Sequence, residues 1–262
     1  MHTVRAPAVA GLFYPADAAE LRIQIQQLLN QVKPLAEPSP KAIIAPHAGY
    51  IYSGPVAASA YARLRAARGT VERVLLLGPS HRVGFRGIAV SSMTAFATPL
   101  GTIPIDQNAI EQLQQLEEVG FLEQAHAQEH SLEVHLPFLQ IVLGDFQLVP
   151  MVIGDARPET VGAVLELLWG GPETLIVISS DLSHYHDYLT ARHMDSETSR
   201  AIETLRYEDI GYEQACGRNP LNGLLWTARR KGLHIDTVDL RNSGDTAGPR
   251  DQVVGYGAYL LH

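Results

Sequence analysis

The sequence predicts an α/β fold: a single domain in which helices cover both faces of a mainly parallel central sheet. Two patterns lead to this prediction. Apolar runs of strand length alternate with longer segments of helical period, and several of the runs are apolar at every position rather than at every second one. The composition agrees, since 46% of the 262 residues are hydrophobic and 18% are charged, as in an ordinary globular protein. We therefore expect residues 1–262 to form one domain.

The first half of the chain supplies the first strand, helix, strand unit. Residues 42–45 predict a buried strand, and residues 56–67 predict a helix that starts after a Ser-Gly-Pro sequence. The run at 74–78 is continuously apolar, which is typical of a parallel strand covered on both faces. Two shorter runs, at 87–92 and 98–106, predict half-exposed strands that could pair as a hairpin at a sheet edge.

The second half repeats the strand, helix, strand order, at residues 146–154, 158–171 and 173–181. Such units join parallel strands by right-handed crossovers, so the centre of the sheet is expected to be parallel. The remaining expected elements are helices at 109–116, 134–143, 190–205 and 220–231, and strands at 234–241 and 253–261.

Charge and composition exclude several classes of partner. The formal net charge is -8 and there is no lysine or arginine block, so a nucleic-acid or anionic-membrane surface is not expected. No segment reaches the ~18 apolar residues of a membrane span, and the first residues lack the pattern of an export signal. The single cysteine, Cys216, excludes an intramolecular disulfide and fits a reducing compartment. We therefore expect a cytoplasmic protein without nucleic-acid or membrane partners.

Three of the predicted strands are followed by histidine. His47 comes after the first apolar run, His81 after the second, and His184 after the run that ends in Ser-Ser and Asp181. Ligands of open α/β sheets bind beyond the carboxyl ends of the strands, and neighbouring strands lie ~4.8 Å apart, so the imidazoles could share one site. Any one of them alone could simply hydrogen-bond a loop. Two histidines with a carboxylate suit a non-haem metal, and a third histidine would then be free for proton transfer.

A further polar cluster, EHSLEVHLPF, contains Glu129, His130, Glu133 and His135. One interpretation is a helix start, in which Ser131 caps the helix and Glu133 faces the positive end of its dipole. Capping has no use for His130, however. The other interpretation, which we follow, places His130 and Glu133 in the wall of the pocket.

Seven motifs together resemble the Memo family. In chain order they are RAPAVAGLFYPAD, APHAGYIYSG, LGPSH, EHSLEVHLPF, SSDLSHY, ACGRNP and VVGYGA. They run in order over essentially the whole chain. The resemblance implies a fold like that of the class III extradiol ring-cleaving dioxygenases, whose metal centre takes two histidines from early strand ends and a third ligand near the C-terminus.

The resemblance also implies roles for individual residues. His47 and His81 stand where the family's metal-ligand histidines stand. His184 stands where the dioxygenases place their acid/base histidine, and Asp181 belongs to the same motif. We therefore expect His47 and His81 to bind the metal, and His184 and Asp181 to be catalytic.

The third metal ligand cannot be assigned as directly from the resemblance. Animal Memo proteins have a cysteine in the C-terminal loop, whereas residues 242–251 of this chain have none. Asp245 is the expected substitute; a one-residue shift would put Thr246 there instead, and water is a third option. Cys216 belongs to a different family motif, and we expect it, with Tyr50, to line the pocket.

Two functions remain open from the sequence. The first is a metal-dependent oxidoreductase of dioxygenase-like type, with Fe(II) as the expected ion and Zn(II) or Cu(II) as alternatives. The second is a non-enzymatic module that uses the same pocket to bind a peptide or protein. For prokaryotic members, the resemblance implies a pathway shared with an AMMECR-type protein and a radical-SAM protein. The substrate and the reaction are not predicted.

Overall fold

A computed structural model describes residues 3–33 and 38–262. The strands of this part are β1 (Val4–Arg5), β2 (Ala42–Ala45), β3 (Arg73–Pro79), β4 (Ile88–Val90), β5 (Ala95–Thr98), β6 (Gly101–Pro104), β7 (Val119–Phe121), β8 (Gln147–Ile153), β9 (Thr174–Ser179), β10 (His184–His186), β11 (Ile235–Asn242) and β12 (Val253–Leu261). The helices are α1 (Ala18–Asn30), α2 (Tyr50–Tyr61), α3 (Gln107–Leu113), α4 (Glu123–Ala127), α5 (Leu136–Leu143), α6 (Pro158–Leu167), α7 (Tyr188–Glu203) and α8 (Arg218–Lys231). Short 3₁₀ segments cover Ala62–Ala67, Glu133–His135, Tyr207–Asp209 and Ser243–Asp245.

The main sheet has the strand order β10-β12-β2-β9-β3-β8-β4-β7, and β11 also pairs with β12. Its centre is parallel, as predicted: β2 pairs with β9, β9 with β3, and β3 with β8. Antiparallel pairs lie on both sides, where β12 joins β2 and β4 joins β8. The carboxyl ends of β2, β9 and β3 therefore meet at one edge, next to each other.

Burial of the central strands explains their continuous apolar runs. Val74 to Leu77 of β3 and Leu175 to Ile178 of β9 are almost completely inaccessible, as the sequence predicted. Helix α8 packs on β3 and β9, while α2 packs on β2 and β12. These elements share one contiguous hydrophobic core. In the part of the chain that the structure describes, no helix is long and apolar enough to cross a bilayer.

A second, three-stranded sheet has the order β1-β5-β6. The hairpin in it is formed by β5 and β6, joined by a turn in which Gly101 has φ 132°. The suggestion that residues 87–92 form half of a hairpin at the edge is therefore wrong. That run is β4, which is fully buried and lies between β7 and β8 in the main sheet. Three apolar residues are too few for alternation to show whether one face or both faces are covered.

Helix α2 begins earlier than the sequence predicted. Its first residue is Tyr50, so Pro55 lies inside the helix rather than at its start. The early turn forms because Tyr50 is buried in the core, and this packing outweighs the loss of one helical hydrogen bond at Pro55. A Cβ at Gly54 would lie 2.9 Å from Leu28 Cδ1, so glycine permits the close approach of α1. Only four residues remain between β2 and α2, which holds His47 at the edge of the sheet.

Candidate metal centre

The two expected ligand histidines lie together at the carboxyl edge of the sheet. His47 follows β2 and His81 follows β3, with β9 between these strands. Their ring centroids are 5.0 Å apart. His47 is fully buried, whereas His81 is 30% exposed in its side chain, so the pair spans the boundary between core and solvent.

Hydrogen bonds define which nitrogen of each ring is free. His81 Nδ1 lies 2.8 Å from Glu129 Oε1, and a carboxylate can only accept. His47 Nδ1 lies 2.7 Å from Ser179 Oγ, and that hydroxyl already donates to Ser131 O at 2.6 Å. Ser179 Oγ must therefore accept from His47 Nδ1–H. Both rings thus carry a proton on Nδ1, and in the neutral form of each ring the lone pair of Nε2 is available for a metal.

Cys216 completes a group of three donors. Its Sγ lies 3.3 Å from His47 Nε2, and the donor atoms of His47, His81 and Cys216 all lie within 4.8 Å of one another. Bonds of ~2.0–2.3 Å from a central ion to nitrogen and sulfur fit such spacings. Burial, followed by the negative charge of Asp181, raises the pKa of the Cys216 thiol well above its usual value. A free thiol is therefore protonated here, and a bound divalent cation would deprotonate it. The donor set fits a transition metal.

Asp245, the expected third ligand, has other partners. Its Oδ1 accepts from Tyr188 Oη at 2.6 Å and its Oδ2 accepts from the Asn242 N–H at 3.1 Å, which closes a capping box in the C-terminal loop. Thr246 Oγ1 donates to Ser243 O in the same loop. Among the described residues, neither group of three or more metal-binding side chains contains Asp245. Cys216, which the sequence had placed only in the pocket wall, is instead the third side chain whose donor atom lies close to those of His47 and His81.

Asp181 lies against His47. It accepts a hydrogen bond from the His47 backbone N–H at 2.8 Å, and its Oδ2 is 3.9 Å from His47 Nε2. Burial raises the pKa of Asp181 to about 7, although the hydrogen bond from His47 and the charge of His81 act in the opposite direction. This carboxyl is a group that can hold or release a proton beside the metal donors.

His184 lies at the start of β10, partly buried and near enough for its charge to act on His47. Burial lowers the pKa of His184, so the neutral imidazole is favoured. The next residue, Tyr185, has φ 60°, a left-handed conformation that is unusual for a residue with a side chain. Such backbone strain clusters at functional sites, and here it adjoins the expected acid/base residue.

His130, which the sequence placed in the pocket wall, lies beside His81. Its ring stacks on His81 with centroids 4.5 Å apart, and the ring of Phe13 lies 4.7 Å away on the N-terminal segment. Burial and the charge of His81 lower the pKa of His130 to about 4. His81, Glu129 and His130 form a second group of close donor atoms that shares His81 with the first.

Glu133 and Tyr50, by contrast, lie in the core and not in the pocket wall. The Glu133 carboxylate is completely buried. It accepts hydrogen bonds from Arg5 Nη1, the backbone N–H groups of Ala8 and Val9, and Tyr14 Oη. Tyr50 Oη donates to Val134 O at 2.6 Å, and burial raises its pKa. Glu133 therefore holds the N-terminal segment against the core through these hydrogen bonds. Neither the pocket-wall interpretation nor the helix-start interpretation predicted this role.

Two further residues were missed by sequence reasoning as parts of the site. Glu129 orients His81, and Ser179 orients His47, yet neither was singled out for this role. The proximity of Cys216 did have a signal in the sequence. A Cβ at the following residue, Gly217, would overlap the carbonyl oxygen of Ser179. A glycine next to the cysteine thus marks a close approach to the end of β9.

Comparison with known proteins agrees with the motifs. The sequence model of the family described as "Memo-like protein" matches residues 5–260. This chain belongs to the Memo family. The Memo relatives include a "MEMO1 family protein" of Aquifex aeolicus, 39% identical over 97% of both chains. Another is the "MEMO1 family protein" of Thermotoga petrophila, 37% identical over 98% of this chain and 99% of its own.

A solved structure shares the fold. It is the crystal structure of an uncharacterized protein from Escherichia coli K12, with a TM-score of 0.54. The match covers 84% of this chain and 98% of the other, at 14% sequence identity. This Memo fold is therefore a known α/β architecture.

Proposed function

We propose that this Memo protein is a metal-dependent oxidoreductase of dioxygenase-like type that acts on a small molecule. His47, His81 and Cys216 would hold one divalent transition metal. The observation that carries the proposal is the group of three donor atoms, one each from His47, His81 and Cys216, within 4.8 Å of one another, in which both histidines use Nδ1 for a hydrogen bond to the protein. A merely structural histidine needs no such arrangement.

Fe(II) is the ion we propose, with Zn(II) and Cu(II) as alternatives. Two imidazoles and a thiolate bind all three, and the Irving–Williams order means that purified protein carries whichever ion was available. When bound, the ion would supply a Lewis acid and, for iron or copper, a redox centre.

The residues around the three metal-binding side chains would have different roles. Glu129 holds the His81 ring by Nδ1 and also accepts from the His81 backbone N–H at 2.7 Å. Asp181 fixes the backbone at His47. We assign proton transfer to or from a substrate to His184 and Asp181. The stacked ring of His130 covers His81 and limits the access of water from that side.

A non-enzymatic binding module is the second candidate. It is favoured by exposed large apolar side chains: Tyr185 and Leu189, close to His184 in the chain, are 69% and 72% exposed, and Leu12, next to Phe13, is 81% exposed. Such residues could contact a peptide or a protein partner. The AMMECR-type and radical-SAM proteins implied by the family resemblance are the partners we propose to test.

Oxygen consumption separates the two candidates. The protein is purified without chelators, loaded with Fe(II) under anaerobic conditions, and mixed with oxygen and a panel of catechol-like compounds. We expect uptake of oxygen that depends on both iron and one of the compounds, and that falls at least ~100-fold in His184→Gln, as expected for loss of an acid/base group. Iron content of His184→Gln should stay equal to that of the wild type. Bound iron without any substrate-dependent oxygen uptake would favour the binding module.

A further inference from the structure

A cavity of about 490 Å³ lies at the edge of the sheet opposite to the candidate metal centre. It is lined by Lys41, which directly precedes β2, and by Thr174, the first residue of the parallel strand β9. The same two strands lead at their other ends to His47 and Ser179 of the metal centre. The volume lies within the range of small-molecule sites. This cavity is therefore separate from the site described above.

Most of the cavity wall is apolar. Ala67, Val71, Leu175 and Leu233 line it together with Trp169. Ala67, Val71 and Leu175 are buried, so this part of the wall is continuous with the hydrophobic core. A ligand with an apolar chain would remove both its own surface and that of the wall from water.

Lys41 is the one charged side chain among the described residues that line the cavity. Its Nζ donates to Gly171 O at 2.8 Å and to Thr174 O at 2.7 Å. The ring centroid of Trp169 lies 5.5 Å from Nζ, so the ammonium group is held beside the apolar wall. An ammonium group carries three N–H donors, and one of them has no acceptor oxygen in the described part of the chain.

The charges outside the wall do not cancel that of Lys41. Glu173 and Lys231 act on it, and they are of opposite sign. The Glu173 carboxylate accepts from the Gly171 N–H at 2.8 Å and from Thr174 Oγ1 at 3.0 Å. Burial lowers the pKa of Lys41 to about 8, the charge of Glu173 raises it, and that of Lys231 lowers it further. The ammonium form therefore still predominates at pH 7, in surroundings that disfavour an unpaired charge.

We propose that this cavity binds a small amphiphilic carboxylate, with its carboxylate on the free N–H of Lys41 and its aliphatic chain against Trp169 and Leu233. A carboxylate supplies both the missing acceptor and the missing counter-charge. A neutral ligand would leave the charge unpaired, and a doubly charged phosphate would meet a single cation on the described wall. This binding site goes beyond the proposed function and does not depend on the metal.

Lysine-specific NMR tests the proposal, because the chain contains three lysines: Lys33, Lys41 and Lys231. Protein labelled with carbon-13 at lysine Cε is titrated with octanoate, and with octanamide as its uncharged equivalent. We expect octanoate at pH 7 to move the Lys41 signal until it saturates, without moving that of Lys33. Octanamide should bind at least about tenfold more weakly, since it cannot pair the charge.

The pH dependence of octanoate binding identifies the lysine involved. Octanoate stays ionised above pH 7, whereas Lys41 loses its proton as the pH rises through about 8. We therefore expect the affinity to fall about tenfold or more between pH 7 and pH 9.5, and the pKa of Lys41 to rise in the complex. An exposed lysine, with a pKa of ~10.4, would keep most of its affinity over this range. Equal affinity at both pH values, or equal affinity for octanamide and octanoate, would overturn the proposal.

Two variants complete the test. Lys41→Met keeps the length of the side chain and removes its charge, and Lys33→Met is the matched control at an exposed position. In isothermal titration we expect octanoate to bind at least about tenfold more weakly to Lys41→Met, and to Lys33→Met as to the wild type. If Lys41→Met does not fold, the comparison of the two probes on wild type still decides. Octanoate binding that leaves the Lys41 signal in place would overturn this site without affecting the proposed metal centre.

Discussion

Glu129 and Glu133 are four residues apart in one motif, and both are almost completely buried, yet they serve different parts of the molecule. Glu129 accepts from the ring and backbone of His81 and from the Ser131 N–H. Glu133 accepts from Arg5, Tyr14 and two backbone N–H groups of the N-terminal segment. One carboxylate positions a candidate ligand, and the other stabilises the fold.

The difference between the two carboxylates shows that burial of a charged group does not by itself reveal its role. Burial alone would raise the pKa of Glu129, but hydrogen bonds from His81 and Ser131 and the charge of His81 lower it to about 2. A buried and fully hydrogen-bonded carboxylate can therefore belong either to a functional site, as for Glu129, or to the structural core, as for Glu133. Only the identity of the donors tells them apart.

The largest expected effect is that of Glu133→Gln. The Arg5 guanidinium is 5% exposed and would lose its charged partner, so we expect a loss of about 3–5 kcal/mol in the free energy of unfolding. Urea denaturation measures it. Metal stoichiometry of the folded variant should stay unchanged. A loss below about 1 kcal/mol would show that the hydrogen bonds between Glu133 and the N-terminal segment are not important for stability.

The same substitution at Glu129 should act on the metal. Glu129→Gln weakens the acceptor that orients His81, and changes of this kind cost ~10–100-fold in metal affinity. Isothermal titration with Co(II) measures the affinity, and Glu133→Gln is the matched control. If both variants bind Co(II) equally well, Glu129 does not position His81 for a metal.

Asp195 is a third buried carboxylate, with fewer donors. It is 2% exposed, accepts from the Ser183 N–H at 3.0 Å, and burial raises its pKa to about 6. Since the folded state favours the protonated form, stability from this group is present below about pH 4 and is lost as pH rises through about 6. Asp195→Asn should therefore be more stable than wild type at pH 7.5, by about 1–2 kcal/mol, with no advantage at pH 4. An advantage independent of pH would show that charge is not its cause.

The smallest expected effect is that of Tyr14→Phe. The change removes one of the donors to Glu133 and keeps the aromatic ring. Because the other donors remain, we expect a loss of about 1 kcal/mol in the free energy of unfolding. The double variant with Glu133→Gln should lose less than the sum of the single changes, as residues in one network are coupled. If urea denaturation shows that the two losses in the free energy of unfolding simply add, Tyr14 and Glu133 do not belong to one network.

The parallel centre of the fold could be predicted because continuous apolar runs leave little choice of environment. The same reasoning placed His47 and His81 at one edge of the sheet. The presence of a histidine does not by itself indicate a metal ligand. His135 is also buried, and its Nδ1 pairs with Tyr61 Oη at 2.7 Å in the core. Local pattern cannot tell such a residue from a ligand.

The third donor could not be predicted in the same way. Cys216 is far from both histidines in the chain and reaches them because helix α8 packs on β3 and β9. That position depends on tertiary packing, which a strand-end rule does not describe. Asp245 looked suitable by sequence position, but local hydrogen bonds in the C-terminal loop occupy both of its oxygens.

The most direct test is anaerobic titration of Fe(II) into wild type, His81→Ala, Cys216→Ser and Asp245→Ala, with bound metal measured by equilibrium dialysis. We expect one ion per chain in wild type and in Asp245→Ala, and at least ~100-fold weaker binding in the other two, since each loses a ligand. Cys216→Ser keeps the size of the side chain, so loss of metal there would not reflect a packing defect. Equal uptake by all four proteins would contradict the metal centre. Loss in Asp245→Ala with retention in Cys216→Ser would return the third ligand to the C-terminal loop.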